Sequence, residues 1–563
     1  MYTLKLLDNF FQEHKVQITG YVFFSIFSQP FESIVIPQLY TNFFDALSET
    51  KITPILFVKY LSLITGSIIL TNTSKFIIAK LEEHITPALF GYIMTYVYKN
   101  LLLKYENSYT DIEVGKVLTI MLELPENVKK VMIDIAAFLL PKLLTIIGLS
   151  IYFCTVNFKL GFTSIILFLI FIVYSSQTID ECSRLSNNRQ SYLEESSQNT
   201  QDKLSNLYSI YTYGKVNSEI KDFKEKLNKY VDIHKKSLEC ANNNVGASYI
   251  VNALSFCSLN IIASYLLFTK QISLKQLMTV FMCVLYYSPC ISDISVVLAE
   301  LTHYGGGLLA TEEFAEDLYN VNQTSTNPDS EKPTRELKRG AISIHNLNFS
   351  YNKDTPLLFK NFHLNIPHGQ KVALVGGSAS GKSTLIKLLM GFYPVPNNSI
   401  SIDGTCINSH NLSSLRSQIT YINQNTKLFN KTVLENIQYG NDLSRSDVDY
   451  LCKRMNIANI FETLPKGLNS ECGVGGDNLS GGQRQIVHLL RNMATKNKII
   501  ILDEPTAAID SANTQNVINV VKELAKNSTL ILITHDKSLL GFCNRVITLA
   551  KGKIINDVYN QRA

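Results

Sequence analysis

The sequence predicts a chain in two parts, an α-helical membrane domain with six transmembrane helices followed by an α/β domain, and three observations carry that prediction. Long apolar runs with few charges all fall before about residue 300. Charged residues make up 18% of the 563 against 46% hydrophobic, below the roughly 25% charge of soluble chains. After the polar, Pro-containing stretch at 321–340, short apolar strands alternate with helices to the end, as in α/β domains. The expected division is a membrane domain at 1–320, a linker at 321–340 and an α/β domain at 341–563.

Six segments are long and apolar enough to cross a hydrocarbon core, which takes about 20 helical residues. They are approximately Val16 to Ala46, Ile52 to Ser74, Val131 to Val156, Leu160 to Thr178, Val245 to Thr269 and Gln276 to Ala299. Short loops join them in pairs, so the long polar stretches 75–130 and 179–244 must share one side. An even number of crossings returns the chain to its starting side, which places these stretches, the N-terminus and the second domain together in the cytoplasm. Positive charge supports this only moderately, since Lys51, Lys159, Lys270 and Lys275 sit by the outer loops. Each polar stretch reads as two helical extensions and a turn, which at about 1.5 Å per residue reach well beyond the bilayer. With no Trp, the 28 Tyr supply any aromatic belt. The first residues lack a basic start, an apolar stretch and a cleavage site, so no removable signal is expected. Leu4, Leu7, Phe10 and Phe11 suggest a short helix lying on the membrane surface, with disorder as the alternative.

A formal charge of +5 with no dense basic stripe excludes nucleic acid as the implied partner and leaves the lipid bilayer. The ten cysteines form no C-x-x-C pair, and Cys154, Cys257, Cys283 and Cys290 lie in apolar segments, which reads as packed free thiols. Glu32, Lys59, Asp134, Lys142 and Asp293 interrupt apolar runs, where charges are costly and face cavities or partners. Lys59 and Asp293 read equally well as snorkelling residues near an interface. Asp134 and Lys142 stand roughly 80° apart on an ideal helix and need not share a face. These charges suggest a polar or amphipathic substrate.

Residues 371–391, KVALVGGSASGKSTLIKLLMG, read as a buried strand, a Gly-rich turn and a helix with P-loop spacing. Backbone N–H groups of Gly376, Gly377, Ser378, Ala379, Ser380, Gly381, Lys382, Ser383 and Thr384 can wrap phosphates at a helix N-terminus. Lys382 can bridge the terminal phosphates of ATP, and Ser383 can bind Mg²⁺. A second apolar strand, Lys498 to Leu502, ends in two acids. Asp503 suits the metal, and Glu504 is placed to polarise the attacking water.

Just upstream stands Leu479-Ser480-Gly481-Gly482-Gln483, which resembles the signature of the ATP-binding cassette (ABC) family. Together with the P-loop and the acids in this order, the chain is identified as resembling exporter-type half-transporters. Residues 400–440 are similar to the exporter branch throughout. YENSYTDIEVGKVLTIMLELPENV and LSNLYSIYTYGKVNSEIKDF look like its two intracellular loops. The resemblance covers almost the whole chain, strong after 341 and diffuse before it.

That resemblance implies Tyr351 stacking on adenine, Gln424 near Mg²⁺, Asp510 in the loop after the acids, and His535 contacting the γ-phosphate. It implies a homodimer joined through the ATP sites and the membrane helices. There Ser480, Gly481, Gly482 and Gln483 of one copy would cap the nucleotide on the P-loop of the other, with coupling through Asn107 to Ile112 and Ser205 to Tyr213. Four positions depart from the family pattern: Val474 where exporters usually carry Glu, Ala379 for a common P-loop Gly, Ile486 where Arg is frequent, and Pro505. The implied function is an ATP-driven exporter. A lipid translocator of the same architecture, an ATP-gated channel or a regulatory subunit are the alternatives, and the transported substrate is not readable.

Overall fold

The computed structural model describes residues 2–48, 53–106, 114–324, 334–352, 355–423, 426–495, 497–506, 509 and 511–560. The chain separates into two compact units, one of residues 1–102 and 111–323 and the other of residues 103–110 and 324–563.

The first unit is helical, because in lipid an apolar backbone must satisfy its polar groups within its own segment. Its long helices are Lys15–Ser48, Pro54–Glu106, Val114–Ile133 continued through Leu140–Val156, Phe158–Ser205, Val216–Phe268 and Leu274–Ala310. Among the described residues, five runs are long and apolar enough to cross a membrane. Lys15–Ser48 has the length, with 34 residues, but is not among them. Gln17, Thr19, Ser25, Ser28, Gln29 and Glu32 dilute its apolar run. Pro54–Glu106 and Val216–Phe268 each run 53 residues, about 80 Å of helix against roughly 30 Å of hydrocarbon. The expected extensions are therefore continuous with the crossings.

The turn between Leu140–Val156 and Phe158–Ser205 is one residue, Asn157, whose side chain accepts from Lys159 N at 3.0 Å. Gly161 permits that turn, since a Cβ there would lie 2.0 Å from Cys154 Sγ. At the next short loop, Ser273 and Gln276 form a capping box at the start of Leu274–Ala310. Tyr287 anchors the helical core, fully buried, with its hydroxyl donating to Ser164 O at 2.7 Å.

Three sequence expectations for this unit are corrected or sharpened. Phe10 lies on the short helix Asp8–Glu13 and Leu7 caps its start, but both are buried within the unit, Phe10 against Tyr92, instead of facing a membrane surface. Cys182 and Cys240 are bonded, with Cα atoms 5.6 Å apart. They sit on Phe158–Ser205 and Val216–Phe268, two helices that pack together along the returning hairpin, so a separation of 58 residues becomes a contact. Alkylation of the denatured, unreduced protein is expected to label eight thiols, and the remaining two only after reduction; ten labelled without reductant would refute the bond. The embedded charges pair: Glu32 with Lys75 at 2.7 Å and Lys142 with Asp293 at 2.6 Å, while Lys59 is exposed.

The second unit holds two sheets. A four-stranded antiparallel sheet has the order Phe359–Ile366, Ile342–Phe349, Ile400–Ile402, Thr405–Cys406. A six-stranded sheet has the order Lys553–Tyr559, Arg545–Ala550, Lys371–Val375, Thr529–Ile533, Ile499–Asp503, Ile419–Ile422, parallel except for the antiparallel edge strand Lys553–Tyr559.

Alternation along the central strands separates two cores. Val372, Leu374, Ile499, Ile501, Ile531 and Ile533 pack with helix Lys382–Leu389. Ala373, Ile500, Leu502, Leu530 and Leu532 pack with helix Gly481–Met493. The two helices therefore cover opposite faces of one sheet.

Candidate functional site

The strands Lys371–Val375, Thr529–Ile533 and Ile499–Asp503 are in register, with Leu374 beside Ile533 and Ile533 beside Asp503. Their C-terminal ends thus bring Gly376, His535, Asp503 and Glu504 to one sheet edge, the place where open α/β sheets bind ligands.

The loop at that edge depends on two glycines. Gly376 has φ 154°, and a Cβ there would meet Leu549 O at 2.3 Å. Gly381 caps helix Lys382–Leu389 with φ 104°, a left-handed conformation that only glycine adopts cheaply. Ala379, where the family commonly has glycine, is held at φ 58°. Lys382 Nζ donates to Gly376 O at 2.7 Å, Gly377 O at 3.0 Å and Ser380 Oγ at 3.2 Å, which keeps the ammonium at the loop. Ser378 and Ser383 are exposed. Thr384 is buried, and its hydroxyl meets Tyr351 OH at 2.6 Å, tying the expected adenine-stacking residue to the P-loop helix. Tyr351 is half exposed and stands edge-on to Tyr393.

Burial pushes the Asp503 carboxyl up, the neighbouring Glu504 charge adds to the shift, and Lys382 opposes it. Removing charge from this carboxyl pair is a task for a cation. The hard oxygen donors Ser383 and Asp503 fit Mg²⁺. Glu504 sits at φ 50°, a conformation costly for a residue with a side chain, while its N–H donates to Ile533 O at 2.8 Å. His535 is exposed just beyond Ile533, followed by Asp536, which accepts from Thr506 Oγ1 at 3.1 Å. Gln424 and Asp510 lie outside the described residues.

Ser480 is the exposed N-cap of helix Gly481–Met493. It forms a capping box with Gln483, whose side chain also donates to Ile460 O at 3.2 Å. Gln483 thereby holds the helix start, leaving Ser480 and the backbone of Gly481 and Gly482 at the surface. Ile486 is 1% exposed in the core beneath, which accounts for an apolar residue there, and Val474 is 74% exposed.

Sequence reasoning missed Gly552, whose N–H donates to Ser380 O at 3.0 Å and so backs the loop. The signal available was a tight Lys551-Gly552 turn between two strands.

A family described as "ABC transporter" matches residues 359–507, and one described as "ABC transporter transmembrane region" matches residues 18–288. The chain is 35% identical over 242 residues to a protein of Saccharophagus degradans named ATP-dependent lipid A-core flippase, covering 43% of this chain and 41% of that one. A Neisseria meningitidis protein of the same name is 35% identical over 235 residues, covering 41% and 38%. The match therefore spans about two fifths of these curated relatives. A solved structure described as a bacterial Atm1-family ABC exporter with ATP bound aligns with a TM-score of 0.84 at 21% identity, covering 97% of this chain and 95% of that one. At that identity the likeness is one of fold.

Proposed function

This chain belongs to the ABC transporter family, and from that premise we propose that it is a half-transporter that hydrolyses ATP in a homodimer to export a substrate through six crossings per subunit. One conjunction carries the reading: a P-loop edge with two acids stands in the same chain as five runs of membrane-crossing length.

In this reading the N–H groups of 376–384 hold the phosphates, and Lys382 exchanges its carbonyl partners for the terminal phosphate oxygens. Tyr351 stacks on adenine. Ser383 and Asp503, with Gln424, would hold Mg²⁺, which neutralises phosphate charge when bound. Glu504 takes a proton from the attacking water as the bond between the γ-phosphorus and the ADP oxygen breaks, and His535 and Asp510 line the same nucleotide. Ser480, Gly481, Gly482 and Gln483 come from the second copy. The opposite-face placement of the P-loop and signature helices supports that division, since a sheet separates the two elements within one chain.

Coupling is assigned to the tips of the extensions. Ser205 to Tyr213 includes the short helix Leu207–Thr212 with Tyr208, Tyr211 and Tyr213 exposed. Asn107 to Ile112 lie outside the described residues.

Complementation tests the composite site. Chains carrying Lys382→Ala or Ser480→Arg should each be inactive alone, while a co-assembled equal mixture should regain about a quarter of the wild-type rate, from one intact site in half of the dimers. An inactive mixture in which mixed dimers are demonstrated would refute the two-chain site. ATP-dependent uptake of labelled compounds into inside-out proteoliposomes then tests export. Lipid translocation is the second reading, supported by the names of the relatives.

A further inference from the structure

The helical unit contains a cavity of about 640 Å³, within the range of small-molecule sites, and its walls carry charges of both signs. Two of its ammonium groups have acidic partners, Lys142 with Asp293 at 2.6 Å and Lys129 with Glu126 at 2.5 Å. The lining also holds Lys130 and three further carboxyls, Glu82, Asp134 and Glu300, so it carries four carboxyl groups against three ammonium groups.

Asp134 is the decisive residue. It is 3% exposed, its carboxyl is hydrogen-bonded to that of Glu300 and faced by Lys130, and Glu300 is exposed, so the two acids form a pair that opens to the cavity on the Glu300 side. It opens a π-helical turn, Asp134–Leu139, the kind of helix irregularity that re-aims side chains at functional sites. That turn also presents Phe138, half exposed, to the cavity, where Val296 and Val297 of helix Leu274–Ala310 supply more apolar wall. A carboxyl pair beside an apolar surface is best complemented by a charged donor on a hydrocarbon body, since a charge-assisted hydrogen bond is stronger than a neutral one.

We propose that the cavity between Asp134, Glu300 and Phe138 is the substrate subsite and takes an amphipathic organic cation, its ammonium on the Asp134–Glu300 carboxyl pair and its apolar part on Phe138 and Val296. This rests on the transporter reading and narrows its substrate.

Because the chain has no Trp, an indole probe can be followed by its own fluorescence. Tryptamine, tryptophol and indole-3-acetate share one apolar body and differ in charge. In nucleotide-free full-length protein in phosphatidylcholine nanodiscs, tryptamine should bind saturably and about tenfold or more tighter than tryptophol, with indole-3-acetate weakest. Asp134→Asn should remove that preference while leaving tryptophol affinity in place. Glu300→Gln repeats the measurement should Asp134→Asn fail to fold, as judged by its melting temperature. Equal affinity for amine and alcohol, tighter binding of the acid, or full tryptamine binding by the folded variants would overturn the proposal. ATP hydrolysis is read separately: its absence with the amine preference intact counts against the transporter reading and leaves the cation site standing.

Discussion

Glu504→Gln lowers ATP turnover by about 10²–10⁴-fold while nucleotide binding is retained. The amide matches the carboxylate in shape, so the residue keeps its strained φ of 50° and its N–H bond to Ile533 O. It cannot accept a proton from water, and that proton is what the hydrolytic step must release. The substitution also removes a negative neighbour from Asp503, whose carboxyl is held up first by burial and then by Glu504. Asp503 becomes easier to ionise, so affinity for Mg²⁺ and ATP should hold or rise. Phosphate release under single-turnover conditions and binding of a fluorescent ATP analogue measure the two effects separately. A rate within tenfold of wild type would remove Glu504 from the reaction.

The second large effect is on folding. Gly552→Ala should destabilise the α/β unit by about 3 kcal/mol or more. Its φ is 71°, and a Cβ would lie 1.7 Å from Leu358 O, a backbone atom that cannot swing aside. Movement of this turn also disturbs the bond from Gly552 N to Ser380 O, so ATP should protect the variant from thermal unfolding less than it protects wild type. Gly377→Ala serves as the comparison: a methyl group at that position would project into open space, so stability should stay within about 0.5 kcal/mol of wild type. Similar melting temperatures for Gly552→Ala and wild type would show that the turn can relax.

The placement of the loop and acids proposed to bind nucleotide was legible because these residues are contiguous. Gly376 to Thr384, Asp503-Glu504 and Ser480 to Gln483 each occupy one short stretch whose local geometry follows from residue type, and parallel pairing brings the first two to one edge. The exporter-like fold was legible for a similar reason, since apolar runs longer than about 20 residues have few alternatives. The first crossing was less so: Lys15–Ser48 mixes polar side chains into its run, and length alone does not place it in lipid.

Contacts between distant positions carried no local signal. Lys142 and Asp293 are 151 residues apart, and each read alone as an isolated membrane charge until two helices brought them together. The Tyr351 to Thr384 bond and the Gly552 support of the loop have the same character. Ile486 was marked as a departure, and its burial gives the reason: an Arg there would place a charge in the core under the signature helix.

The Cys182–Cys240 bond gives the molecule a redox-dependent stiffness. Cys182 is 4% exposed but Cys240 is partly exposed, so a thiol in solution reaches the bond from the Cys240 side. The state of the bond then follows the thiol balance around it. Under oxidising conditions the two helical arms are covalently tied, and under reducing conditions packing alone holds them together.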